Sequence, residues 1–213
     1  FLNVGPGFGY TVRGNPDLEP EVSRNLTASI EWAGARTYLR LEAFDNRFDD
    51  FIETRPVGDS SGITVYTYGN VDDGFTRGAE LEAGVTWRGL RLEAGYGVLH
   101  AQDSETGESL LGRPERSARG TIGYSRPGGL RVAVTGVHTG ETAMRRTASG
   151  TEWREGFLRF DARVAQEVWG GFELAVGVDN LFDVRLAEWP GFTGRHLYTA
   201  VSWRASGDAR ATR

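Results

Sequence analysis

The stretch "AELEAGVTWRGLRLEAGYGV", residues 79–98, decides the fold. Ala79, Leu81, Ala83, Val85 and Trp87 take every second position, and Glu80, Glu82, Gly84 and Thr86 take the places between. Arg88-Gly89 breaks the run. Then Leu90, Leu92, Ala94, Tyr96 and Val98 alternate with Arg91, Glu93, Gly95 and Gly97. A period of two puts one set of side chains on each face of a strand. A two-residue break ending in glycine suits the tight turn of an antiparallel hairpin.

The same period recurs on both sides. Upstream, Leu26, Ala28, Ile30 and Trp32 share a face, with Arg24 as the polar exception, and Leu39, Leu41 and Ala43 share another. Downstream, alternation runs through residues 118–124, 130–134, 158–164, 172–178 and 197–203. That predicts an all-β chain of about nine strands and no helix. The connections alternate too. Gly34-Ala35, Arg88-Gly89, "SRPGG" and "WGG" are short, whereas "ETRPVGDSSG", "AQDSETGESLLGRP", "GETAMRRTASGTEWREG" and "DVRLAEWPGFTG" are long. One end of the sheet is trimmed and the other elaborated, the pattern of a transmembrane β-barrel with short periplasmic turns and long extracellular loops.

Period two also fits a soluble sandwich, whose apolar face packs a core. Two features favour the barrel. Trp32, Trp87, Tyr124, Trp169 and Trp203 lie at the short-turn ends or at the end of the last strand, as an interfacial aromatic girdle would. The polar face carries charges of both signs: Glu80, Glu82, Arg91, Glu93, Arg119, Arg131, Arg159, Asp161, Arg163, Glu173 and Asp179. A wet or plugged lumen accepts these.

Composition narrows the function. The chain has 213 residues, no cysteine and a formal net charge of −5. There is no disulfide framework and no thiolate metal site, and an acidic chain does not suit duplex nucleic acid. All 24 basic residues are arginine, a usage that reads as codon bias. His100, His138 and His196 are scattered, and the adjacent acids Asp49-Asp50 and Asp72-Asp73 lack a calcium-loop pattern, so no metal or cofactor is expected. No nucleophile elbow, nucleotide loop or zinc-protease helix motif occurs, so the chain is not read as an enzyme.

Several local sequences, in order, resemble the TonB-dependent outer-membrane receptors. "GNPDLEPE" (14–21), "YGNVDDGFTRGAELE" (68–82), "GRPERSARG" (112–120), "VDNLFD" (178–183) and "PGFTGRHLYTAVSW" (190–203) match stretches of that family. The resemblance implies about nine strands of a 22-stranded barrel. Residues 1–20 would be an extracellular loop, 21–205 the C-terminal part of the barrel and 206–213 a polar tail. The plug domain and the TonB-contact box are expected in a missing N-terminal region. Ala205 departs from the family's usual terminal aromatic. The implied protein is a monomer in the outer membrane, contacting lipid, TonB and a small-molecule ligand. It would take up a scarce solute, a ferric siderophore being the commonest reading; cobalamin, haem, glycans and other metal chelates stay open. The alternative is a passive channel or structural barrel.

Asn15, Pro16, Leu18, Pro20, Glu21, Asn70, Gly78, Asn180, Leu181 and Phe182 are read as structural landmarks. Pro16 and Pro20 fix their own φ and extend the residues before them, a stiff lead into a strand. Glu80 is expected to pair with a plug or with Arg91. Gly95 and Gly177 are expected to let plug backbone approach. Asn180, with Asp179, should tie loop backbone. The ligand candidates are Tyr66, Tyr68, Arg145, Arg146, Trp153, Arg154 and Trp189 on the long loops, because arginine and aromatic groups suit an anionic, aromatic-bearing chelate.

Overall fold

An alternating chain satisfies its backbone and sorts its side chains at once by pairing as strands. The computed structural model describes residues 10–60, 63–71, 73–147, 150–186 and 194–204, and every regular element among them is a strand. In chain order they are β1 (Tyr10–Arg13), β2 (Val22–Ala33), β3 (Thr37–Asp49), β4 (Phe51–Ser60), β5 (Ile63–Val71), β6 (Gly74–Trp87), β7 (Leu90–Asp103), β8 (Arg116–Ser125), β9 (Leu130–Thr139), β10 (Thr142–Thr147), β11 (Gly150–Arg154), β12 (Phe157–Glu167), β13 (Phe172–Asp179) and β14 (His196–Trp203). Nine of them form one sheet in the order β14-β13-β12-β9-β8-β7-β6-β3-β2, the nine strands predicted from alternation. It ends on β2 and β14 and is not closed among the described residues.

The long connections hold strands of their own. β4 and β5 pair antiparallel, β1 adds to β5 in parallel, and β10 pairs with β11. The expected loops at 1–20, 53–62 and 140–156 are therefore partly regular in the described residues. β4 escaped notice because Pro56 lacks an amide donor and the register slips between Pro56 and Gly58.

The chain divides into two compact units. One comprises Phe1–Ala28, Ala43–Gly78 and Leu99–Leu110, with the sheet β1-β5-β4 and the outer parts of β2, β3, β6 and β7. The other comprises Ser29–Glu42, Ala79–Val98 and Leu111–Arg213, with the remaining ladder and the β10–β11 hairpin.

Within the second unit the register builds continuous rows. Leu92, Ile122, Val134, Ala162, Val178 and Leu197 stand opposite one another in turn across six strands. This row lies open: Ile122 is 61% and Leu197 72% exposed. The next row, on the other face, reads Glu93, Thr121, Thr135 and Asp161. A soluble sandwich would bury the apolar row. Here the only hydrophobic side chains buried among the described residues are Val12, Val65, Leu110, Ala143, Ala165 and Ala175, mostly small. An apolar surface this extensive marks a face that meets a membrane or a partner rather than water.

The short turns set the ladder's hand. Arg88-Gly89 and Gly170-Gly171 each place two successive residues at positive φ, the geometry that matches strand twist. At Gly171 a Cβ would also collide with the Arg204 carbonyl oxygen. Trp32, Trp87, Tyr124, Trp169 and Trp203 are all exposed beside these turns or at the end of β14. Trp203 donates its indole N–H to the Gly170 carbonyl at 3.1 Å, so one girdle residue also closes a turn.

Candidate functional site

Tyr66 and Tyr68 sit two apart on β5 and so share a face of the β1-β5-β4 sheet. The register sets Val12 opposite Tyr66 and Thr54 opposite Tyr68. Tyr10, two before Val12, meets Tyr66 edge-to-face with ring centroids 6.1 Å apart. These five side chains line a concavity of about 400 Å³. Sequence reasoning found the two β5 tyrosines and missed Tyr10, Val12 and Thr54. The alternation of "YTVR" was a signal for the first two, but it lies beside the glycine-rich "GPGFGY".

The landmark residues hold this sheet in place. The Asn15 amide donates to the Tyr68 carbonyl at 3.0 Å and its oxygen accepts from the Asp17 amide at 3.0 Å. Asn70 accepts from the Glu19 amide at 2.8 Å and donates to the carbonyls of Glu19 and Asp50 at 3.0 and 2.7 Å. The Glu21 carboxylate accepts from the Ile52 amide at 3.3 Å. Pro16 lies in the turn, while Leu18 and Pro20 run on without helix. The segment is a clasp. Gly78 lies in β6 at the same parity as Glu80.

The second group of candidates lies in the other unit, on the β10–β11 hairpin. Arg145 forms a two-pronged pair with Glu152, with N–O distances of 2.9 to 3.1 Å, and stays exposed. Arg146 and Trp153 are exposed as well. Arg154 corrects the expectation of a ligand-facing residue. It is 6% exposed, because the register places it opposite Thr142, whose hydroxyl accepts from Nη2 at 3.1 Å. Its guanidinium also lies over the Phe157 ring at 5.4 Å. Trp189 lies outside the described residues.

"NLFD" forms a second clasp. Asn180 is 2% exposed at φ 54°, its side chain donates to the Val184 carbonyl at 2.8 Å and accepts from the Val184 amide at 2.9 Å. The Asn180 amide donates to Asp161 at 2.8 Å, and the Leu181 amide to the Phe160 carbonyl at 2.7 Å. Phe182 sets its ring edge-to-face with Phe160 at 5.5 Å. Asp183 accepts from the Arg195 amide at 2.7 Å and from Arg185 at 3.0 Å. That amide, and then the Arg185 guanidinium, hold the Asp183 carboxyl below the usual aspartate range.

On the polar face most charges neutralise one another. Arg91 pairs with Glu93 at 2.6 Å and not with Glu80, which removes Arg91 from the two partners expected for Glu80: two apart on one strand, Arg91 and Glu93 share a face. Glu93 also accepts from the Tyr38 hydroxyl at 3.1 Å. Arg159 pairs with Asp161 at 3.1 Å, while Arg131 and Arg163 converge on Glu173. Glu80, Glu82 and Arg119 lie with them on the open polar side, beside Gly95 and Gly97, where a Cβ would meet no tight contact from backbone. Gly177 is different: the Tyr198 ring already occupies the space a Cβ would take, so that position is not left open to other backbone.

Among the described residues no group of three or more acidic or histidine side chains is placed to hold a metal ion. The chain is 24% identical over 189 residues to the vitamin B12 transporter BtuB of Photobacterium profundum, covering 85% of this chain and 31% of that protein. It thus spans about a third of the length of that curated relative. Its fold is similar to the siderophore receptor PirA of Acinetobacter baumannii (TM-score 0.72, 19% identity, covering 91% of this chain and 33% of that one). It is also similar to a ferric enterobactin receptor, PfeA, of Pseudomonas aeruginosa (TM-score 0.67, 23% identity, 83% and 28%) and to the copper transporter OprC (TM-score 0.74, 20% identity, 90% and 34%). The family model described as TonB dependent receptor-like, beta-barrel, matches residues 1–181. With that match running over the first clasp and every ladder strand but β14, the chain belongs to the TonB-dependent receptor β-barrel family.

Proposed function

We propose that this chain supplies wall and outer loops to an outer-membrane receptor that takes up a scarce solute, using energy delivered through TonB. The observation that carries this reading is the register: uninterrupted apolar rows on an open face, backed by a charged face, in a chain of this family. The apolar rows meet outer-membrane lipid. Glu80, Glu82 and Arg119, with the ion pairs around them, face the lumen and whatever plug fills it. The receptor acts as a monomer and is not an enzyme.

For the solute we propose a metal chelate, with a ferric siderophore first. Arg145, Arg146 and Trp153 offer the exposed cations and ring that an anionic aromatic chelate needs. The structural neighbours include receptors named for siderophores, and also a copper transporter; the curated relative is named for vitamin B12. The test is uptake by a Gram-negative host stripped of its own receptors and expressing the receptor that carries this chain. Labelled ferric enterobactin, cyanocobalamin and copper(II) are supplied with and without TonB. Accumulation of the ferric chelate that disappears without TonB supports the proposal. Accumulation that persists without TonB returns the passive channel, and preference for either other solute replaces the siderophore.

A further inference from the structure

The apolar face of the second unit is not uniformly bulky. Along β8 its side chains run Arg116, Ala118, Gly120 and Ile122, at every second position. The register sets Ala118 between Tyr96 and His138, and Gly120 between Ala94 and Gly136. The small residues leave a furrow there, a concavity of about 470 Å³. Ile122, with Leu92 and Val134 on either side, blocks its end nearer the short turn. On the β9 side the Phe160 ring lies where a Gly136 Cβ would stand, and Phe182 props that ring edge-to-face at 5.5 Å.

The other end of the furrow is polar. Arg116 opens β8, directly after a long connection, and is exposed opposite Val98. It pairs with no carboxylate among the described residues. His138 breaks the apolar parity of Val132 and Val134 on β9, and an imidazole can donate to a phosphate or ester oxygen. A cation above an apolar slot suits an amphiphile with an anionic head.

The geometry selects a hydrocarbon chain over a protein segment. β8 is paired on both sides, with β7 and β9, so it has no free edge for an added strand. Its flanking strands stand about 10 Å apart, too close to seat a helix about 10 Å across between their side chains. From Arg116 to Ile122 the strand advances about 20 Å. At a barrel strand's tilt of about 40° that descends about 15 Å, half the hydrocarbon thickness of a bilayer.

We infer that the β8 furrow holds one acyl chain of an anionic, phosphate-headed lipid of the outer leaflet, its phosphate at Arg116 and His138. The inference rests on the proposed function for the membrane against which this face lies. It adds a defined lipid site where that reading needs only an apolar surface.

Native mass spectrometry of the purified receptor that carries this chain reads the lipid it retains. The probes are dioleoylphosphatidylglycerol, which is anionic, and dioleoylphosphatidylcholine, which has no net charge, added at equal concentration after delipidation in detergent. One phosphatidylglycerol should be retained in preference to phosphatidylcholine. Arg116→Gln should cut that preference about threefold to tenfold, and Arg116→Lys should keep most of it. Gly120→Leu should lower retention of both lipids by filling the furrow. The backbone accepts that side chain, since a Cβ at Gly120 meets only the Glu93 carbonyl oxygen, at 3.8 Å. Equal retention of the two lipids by the unaltered receptor overturns the inference. So does undiminished preference in Arg116→Gln or undiminished retention in Gly120→Leu, and either variant decides should the other misfold. Detergent dependence separates the readings. A receptor that stays dispersed in plain buffer sinks the lipid-facing wall and the site together; one that needs detergent but shows no lipid preference sinks the site alone.

Discussion

The ladder and the loop sheet are both antiparallel β-structure at heart, yet they are held by different forces. In the ladder, identity is repeated. Any of Leu92, Ile122, Val134 or Val178 serves the same purpose, because what the row keeps is its apolar character as a whole. In the β1-β5-β4 sheet, single side chains decide. Asn70 alone makes three hydrogen bonds to backbone as far as 51 residues away, and Asn15 fixes the strand edge beside it. One region is specified by pattern and tolerates exchange within it. The other is specified by address.

The largest test of that contrast is Ile122→Arg set beside Thr121→Arg. The two positions are neighbours on β8 and point to opposite faces. An arginine in the open apolar row, which we propose faces lipid, should cost about 2–4 kcal/mol. At 121 it would meet the row of Glu93 and Asp161, and should cost less than about 1 kcal/mol. Equilibrium unfolding in phospholipid vesicles reads both. Equal losses would mean that the open apolar row does not face lipid. Next comes Gly171→Ala. Its φ of 81° and the nearby Arg204 carbonyl oxygen leave no room for a Cβ. The expected cost is on the order of 1–3 kcal/mol, seen as a lower temperature for loss of the compact, heat-modifiable form on gels.

Asn70→Ala should behave otherwise. It removes hydrogen bonds worth together about 1–2 kcal/mol, but only locally. Hydrogen exchange should rise at β5 and at the Glu19 amide, with the unfolding transition of the ladder unmoved. A global shift of the same size would show that the address region and the pattern region unfold as one.

Much of this was legible because strands with one apolar and one polar face must alternate without lapse. The nine ladder strands follow from parity alone. Their outer ends do not: β3 runs on through Asp45 and Arg47 to Asp49, where an outward side chain no longer needs to be apolar. β4 was illegible for the same reason, since "ETRPVGDS" has no face to bury and Pro56 argues against a strand. Tyr66 and Tyr68 were singled out as aromatic residues of a long connection, while Thr54 joins them only through register with a strand the pattern conceals. Arg154 was misassigned because a loop arginine looks available until its opposite number, Thr142, is known. Long-range addresses such as Asn70 to Glu19 leave no periodic trace at all.

The smallest predicted effect is one of pH, and it bears on the second clasp. Asp183, at φ 55° in "NLFD", accepts the Arg195 amide and the Arg185 guanidinium, and both lower its pKa in the folded chain. A carboxyl whose folded pKa lies below its unfolded value binds protons more readily when unfolded. Its stabilisation is therefore complete above the ordinary aspartate value of about 3.9 and is lost as pH falls through the lower, folded value. Protection of the Arg195 amide from exchange, followed from about pH 5 to about pH 2.5 and corrected for intrinsic rates, should decline only in the lower part of that range. In Asp183→Asn the amide oxygen can still accept from Arg195, but the charge is gone. Protection should start lower and stay flat with pH. A variant that declines in step with the unaltered chain would place the titrating group elsewhere and reduce Asp183 to a turn residue chosen for its backbone.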